Sequence, residues 1–164
     1  MSAPAPRLQD ILLLVGQLNY TWTNTESLLI YLIAGLAKVD KETAIVVFLT
    51  LNTTRARIDL VERLAKMSAT SAPCRKDVLA ITDQLLKQGK LRNKYSHCIY
   101  SFDETGSRAS TQLMRIFDAK DSIKYGKVDP LDGAEMRNIA ASIEAIRQLN
   151  EAIMSIVTRY RFPH

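Results

Sequence analysis

Histidine is almost missing from this chain. Among 164 residues only His97 and the C-terminal His164 carry an imidazole. Any chemistry that needs a group titrating near neutrality inside the fold therefore has to pass through His97. Cysteine is as scarce. Cys74 and Cys98 form no C-x-x-C and have no histidine pair beside them, which argues against a disulfide framework or a zinc site and fits a reduced chain. Cys98 adjoins His97, but neighbours on a helix point about 100° apart, a poor arrangement for a nucleophile and its base. There is no glycine-rich phosphate loop and no paired acidic ligand spacing, so neither a metal nor a cofactor is expected. Long apolar runs are missing too. The stretch 27–37 is too short to span a bilayer, and residues 1–6 lack the basic start and apolar centre of a signal peptide. A cytoplasmic protein with no membrane partner is expected.

What is present is ordinary for a soluble domain: 47% apolar residues, 24% charged residues and a net charge of +5. The length fits one domain, 7–162, behind a flexible leader, 1–6. From Arg7 to about Lys38 the pattern is helical. Leu8, Val15, Trp22, Leu29 and Leu36 recur every seven residues, and Ile11, Leu18, Thr25 and Leu32 fill the seam between them. Glu26 reads as a solvated flank of this helix. Asp40 suits the cap of a second helical segment, which Asn52-Thr53-Thr54 interrupts before it resumes to about Lys66. A third helix runs from near Cys74 to about His97, with Val78, Ile81, Leu85 and Tyr95 facing the core. Gly89, Asn93 and His97, at spacings of four, share another face.

Beyond His97 the period changes. Segments 98–103, 111–117 and 122–125 favour strands, with turns at 104–107 and 119–121. A β-hairpin or three-stranded insertion over about 98–126 is expected. Asp129-Pro130-Leu131-Asp132 reads as the start of a last helix carrying Ile139, Ile143, Ile146, Leu149, Ile153 and Val157. The sum is a mainly α, up-and-down bundle of four or five helices, with a small β-insertion between the last two long ones.

One motif carries chemistry. Arg92-Asn93-Lys94-Tyr95-Ser96-His97 reads R-N-x-x-x-H at the end of the third helix, with Lys87, Lys90 and Lys94 around it. RNA is cut without metal when its own 2′-hydroxyl attacks the adjacent phosphate. That route needs a base, an acid and a cation for the charge growing on phosphorus. Histidine serves as base or acid, and arginine offers a permanent fork to phosphate oxygens. Asparagine can orient either partner. Arg92 and His97 lie about 140° apart around a regular helix, so Arg92 has to reach round with its long side chain or receive a phosphate lying across the helix end. One copy supplies one internal histidine; two copies meeting about a symmetry axis supply two. The bland alternative is a helix end whose basic residues answer the helix dipole.

The motif resembles the R-x(4–6)-H signature of the HEPN superfamily of helical-bundle domains, and the chain is similar to that superfamily in architecture. The resemblance implies a homodimeric, metal-independent endoribonuclease in toxin–antitoxin or phage-defence biology. Arg92, Asn93 and His97 would be its catalytic residues, Lys87, Lys90 and Lys94 its RNA contacts, and an antitoxin protein a further partner. Two departures stand out. Some HEPN toxins paired with nucleotidyltransferase antitoxins carry a tyrosine two residues after the histidine; here that position is Ile99, and the nearest tyrosine is Tyr100. The β-insertion also points to a divergent subgroup. Two other readings stay open: a non-catalytic module binding nucleotide, RNA or protein, and a plain dimerising helical protein.

Overall fold

A computed structural model describes residues 7–164; the leader expected at 1–6 lies outside the described residues. Six helices and five short strands are found among them, in the order α1 (Leu8–Ser27), α2 (Leu29–Ala37), α3 (Lys41–Thr50), α4 (Thr54–Ala65), α5 (Ala72–Ser96), β1 (Cys98–Phe102), β2 (Ala109–Leu113), β3 (Ile116–Asp118), β4 (Ile123–Tyr125), β5 (Val128–Pro130) and α6 (Gly133–Arg159). The fold is mainly α with a small antiparallel insertion between α5 and α6, as the periodicity indicates. The described residues group into two compact units: those up to Tyr20 with 89–144, and 21–88 with 145–164.

The second unit is helical. The first long helix does not run unbroken to Lys38. Ser27 Oγ donates to the Asn24 carbonyl at 2.7 Å, and the bonds Leu28 N to Thr25 O and Tyr31 N to Leu28 O tighten the chain into a turn that separates α1 from α2. Asp40 caps α3 by accepting from Thr43 N at 2.7 Å, and Thr53 caps α4 by accepting from Ala56 N at 3.1 Å. Trp22, Leu29, Leu32, Ile58, Val78, Leu85, Ile146 and Ile153 form the core.

Glu26 is a correction to the sequence reading. It is buried rather than solvated. Arg57 Nη1 lies 3.1 Å from its Oε1, Thr54 Oγ1 donates to the same oxygen at 2.7 Å, and Trp22 Nε1 donates to Oε2 at 3.2 Å. Arg57 in turn lies over the Phe48 ring and donates from Nε to the Phe48 and Leu51 carbonyls. A carboxylate this far from water needs those partners, and they come from α1 and α4 at once.

The first unit holds the insertion. Its main sheet has the order β1-β2-β5, all antiparallel, with Cys98 opposite Leu113 and Ser110 opposite Pro130. β3 and β4 form a separate hairpin. The strand expected over 111–117 is thus two strands, split where Arg115 N turns back to Leu113 O at 2.8 Å. The start of the last helix is a second correction. Asp129 and Pro130 belong to β5, and Leu131 N still donates to Ala109 O at 2.8 Å. Asp132 is the residue that caps α6, by accepting from Glu135 N at 2.9 Å. Proline is tolerated in β5 because this strand lies at the sheet edge.

Candidate functional site

Arg92, Asn93 and His97 all lie in the first unit, at the point where α5 gives way to β1. His97 N closes the last helical turn onto Asn93 O at 3.1 Å, and His97 O accepts from Met114 N at 3.2 Å. The backbone of the histidine is therefore pinned from the helix on one side and the sheet on the other. Its side chain is exposed, as is that of Asn93. Arg92 is half-buried and donates from Nη1 to Asn93 Oδ1 at 3.1 Å. Gly89, on the helical face shared by Asn93 and His97, is buried, so this face passes from interior to surface as it reaches His97.

The three expected lysine contacts part company. Lys94 is half-buried, with Nζ 2.5 Å from Glu135 Oε1 and 3.6 Å from Asp129 Oδ2. Its charge is engaged in joining α5 to α6. Lys87 belongs to the second unit, where it pairs with Asp83 at 3.0 Å on the surface. Lys90 is exposed in the first unit.

Around the motif lies a polar cluster that holds the end of α5 in place. The buried Tyr95 donates its hydroxyl to the same Glu135 Oε1 that takes Lys94, and Asn138 Nδ2 donates to Oε2 at 3.2 Å. Burial alone would raise the Glu135 carboxyl; the bonds from Lys94, Tyr95 and Asn138 outweigh it and hold the group below its ordinary value of 4.5. Burial and the hydrogen bond to Glu135 push the Tyr95 hydroxyl far above the ordinary tyrosine range, so it remains a donor. Ser96 Oγ donates to Asn19 Oδ1 at 2.8 Å, tying the same turn to α1. Tyr100 is half-buried and donates to Tyr95 O at 2.8 Å. Desolvation raises the Cys98 thiol, which donates to Tyr95 O at 3.6 Å, and Cys74 and Cys98 are both buried free cysteines, which leaves the cysteine beside His97 a core residue.

Comparison with family models, with curated proteins and with solved structures finds no match to this chain. The site therefore has to be judged on its own residues. Among the described residues no group of three or more His, Cys, Asp or Glu side chains is placed to hold a metal ion, and no helix is long and apolar enough to cross a membrane.

Sequence reasoning missed Glu135, Asn19 and Arg115. The β1–β2 ladder sets Cys98 opposite Leu113, so His97 falls opposite Met114, and Arg115 follows directly. Only the strand register reveals that neighbour. The one available signal was an arginine inside a stretch that favours strands.

Proposed function

We propose that this protein is a metal-independent endoribonuclease of HEPN type, working in the cytoplasm on RNA as a homodimer. The observation that supports it best is the setting of His97: a backbone fixed by Asn93 and Met114 and an imidazole left at the surface, beside an asparagine that holds an arginine guanidinium.

In this reading the RNA 2′-hydroxyl loses its proton to one His97 imidazole as its oxygen attacks phosphorus. Arg92 holds the non-bridging oxygens as charge grows on them, and Asn93 keeps the guanidinium aimed. The P–O5′ bond breaks, and the leaving oxygen takes a proton from His97 of a second copy. The products are a 2′,3′-cyclic phosphate and a 5′-hydroxyl. Lys90 adds long-range attraction for the RNA backbone. A role in toxin–antitoxin or phage-defence biology, with an antitoxin protein as partner, rests on the HEPN resemblance of the motif alone.

The test is RNA cleavage in EDTA by the parent chain and by folded His97→Ala and Arg92→Ala variants. Cyclic-phosphate ends from the parent, with rates lower by about 10²- to 10⁴-fold in each variant, are the expected result. Equal cleavage by all three would mean a contaminating nuclease. Salt-sensitive RNA binding without turnover would instead favour the non-catalytic module.

A further inference from the structure

The β3–β4 hairpin is built as an arm, and it starts beside His97. Its root is fixed: Gly126 N donates to Arg115 O at 2.8 Å, and a side chain at Gly126 would stand 2.1 Å from the Leu113 carbonyl oxygen. Only glycine permits that approach. At the tip Ala119 N closes onto Ser122 O at 2.8 Å. Every residue of β3 and β4 is exposed. A two-stranded ribbon open on both faces gains little from burial, so its side chains are there for something other than a core.

The register sorts those side chains into two faces. Phe117 pairs with Lys124, so both point the same way. Arg115, two residues before Phe117, lies on that side too, its Cζ 5.2 Å from the Phe117 ring centroid. The hairpin's carboxylate Asp118 pairs with Ile123 and points to the other face, with Ile116 and Tyr125. One face is thus an exposed aromatic ring between two cations, free of acid within the two strands.

We propose that this face of Arg115, Phe117 and Lys124 is a contact for single-stranded RNA, with a base stacked against Phe117 and phosphates held by the two cations, leading the strand towards His97. This rests on the ribonuclease reading for its destination, but not for the contact itself. An aromatic ring between cations suits a strand whose bases are free, because every base has a face to stack, whereas a duplex hides those faces and offers phosphates alone. The position follows from the fold, since Arg115 directly follows the residue bonded to His97 O.

The full chain would be titrated into a fluorescein-labelled 2′-O-methyl oligoadenylate, which cannot be cut through its own 2′-oxygen, and into the same strand in a duplex. Anisotropy is read at several salt concentrations. Phe117→Ala should weaken single-strand binding about ten-fold and duplex binding much less. Arg115→Ala with Lys124→Ala should lower the salt slope by about 1.4, two contacts at roughly 0.7 each. Unchanged melting temperatures would show that these exposed changes leave the fold alone. If the variants bind as the parent does, the arm is wrong, and the face is better assigned to an acidic protein surface. Binding that depends on the hairpin, from a parent that never cuts ordinary RNA, would uphold the arm and sink the ribonuclease reading. Cleavage by the parent with full binding by Phe117→Ala would do the reverse. A parent that binds no RNA would overturn both.

Discussion

At the scale of single residues, Glu26 is the sharpest lesson. In the sequence it sits in an apolar stretch with no visible partner, and a solvated flank is the economical expectation. Its partner is Arg57 on α4, with the whole of α2 and α3 between them in the chain, and only folding brings the two within 3.1 Å. Removing one member of a buried pair leaves the other charge stranded. We predict that Arg57→Met lowers unfolding free energy by about 3–5 kcal/mol in a urea titration, because Glu26 and the carbonyls of Phe48 and Leu51 all lose a donor. Replacing both residues, Glu26→Leu with Arg57→Met, should cost less than the single change. A single variant within about 0.5 kcal/mol of the parent, the range of ordinary surface changes, would show that the pair is a surface feature after all.

Among the elements, helices were legible wherever the deciding contacts are local. Asp40 and Thr53 announce α3 and α4 because a cap needs only a side chain and an amide three residues on. The start of α6 was misplaced for the opposite reason. Asp129 is the expected start and Asp132 the actual cap, because β2 claims residues 128–130 for its ladder. Local chemistry cannot see that ladder. The same blindness hid Glu135, whose place in the first turn of α6 resembles half of a capping box; its carboxylate instead reaches Lys94 and Tyr95 on α5. A pH dependence follows. The folded-state pKa of Glu135 is depressed, so its stabilising contribution is fully present above its ordinary 4.5 and is lost as pH falls through the lowered value. We predict that the melting temperature of Glu135→Gln lies below that of the parent at neutral pH, with a gap that closes on acidification through this window. A gap independent of pH would assign the effect to packing rather than to the carboxylate.

For the molecule as a whole, the mainly α class with one small β-insertion was readable from the switch in period after His97, from 3.6 to 2. The sequence also places Arg92, Asn93 and His97 together at the end of α5, where they are found. What was not readable is which cations stay available: Lys94 is engaged with Glu135, Lys87 lies in the other unit, and Arg115 stands in the link between β2 and β3. The proposed reaction asks for two histidines, and one chain offers one at this site. Leu8, Leu12 and Tyr20, at multiples of four along α1, are large exposed side chains in the same unit as His97 and suit an area that a second copy would cover. Light scattering behind a sizing column should therefore give twice the mass of one chain, and Leu12→Glu should shift it towards the single-chain value. A monomer that still cuts RNA in EDTA would remove the need for the second histidine.

The cluster on Glu135 also sets an order of events during synthesis. A ribosome lays down Arg92, Asn93 and His97 well before Asp132 and Glu135, and the strand that bonds His97 O lies between them. Until the first turn of α6 has left the ribosome, the end of α5 has its tie to Asn19 on α1 but not the one to Glu135. If the motif cuts RNA, the growing chain carries its blade only partly fixed while it is still attached to the messenger that encodes it.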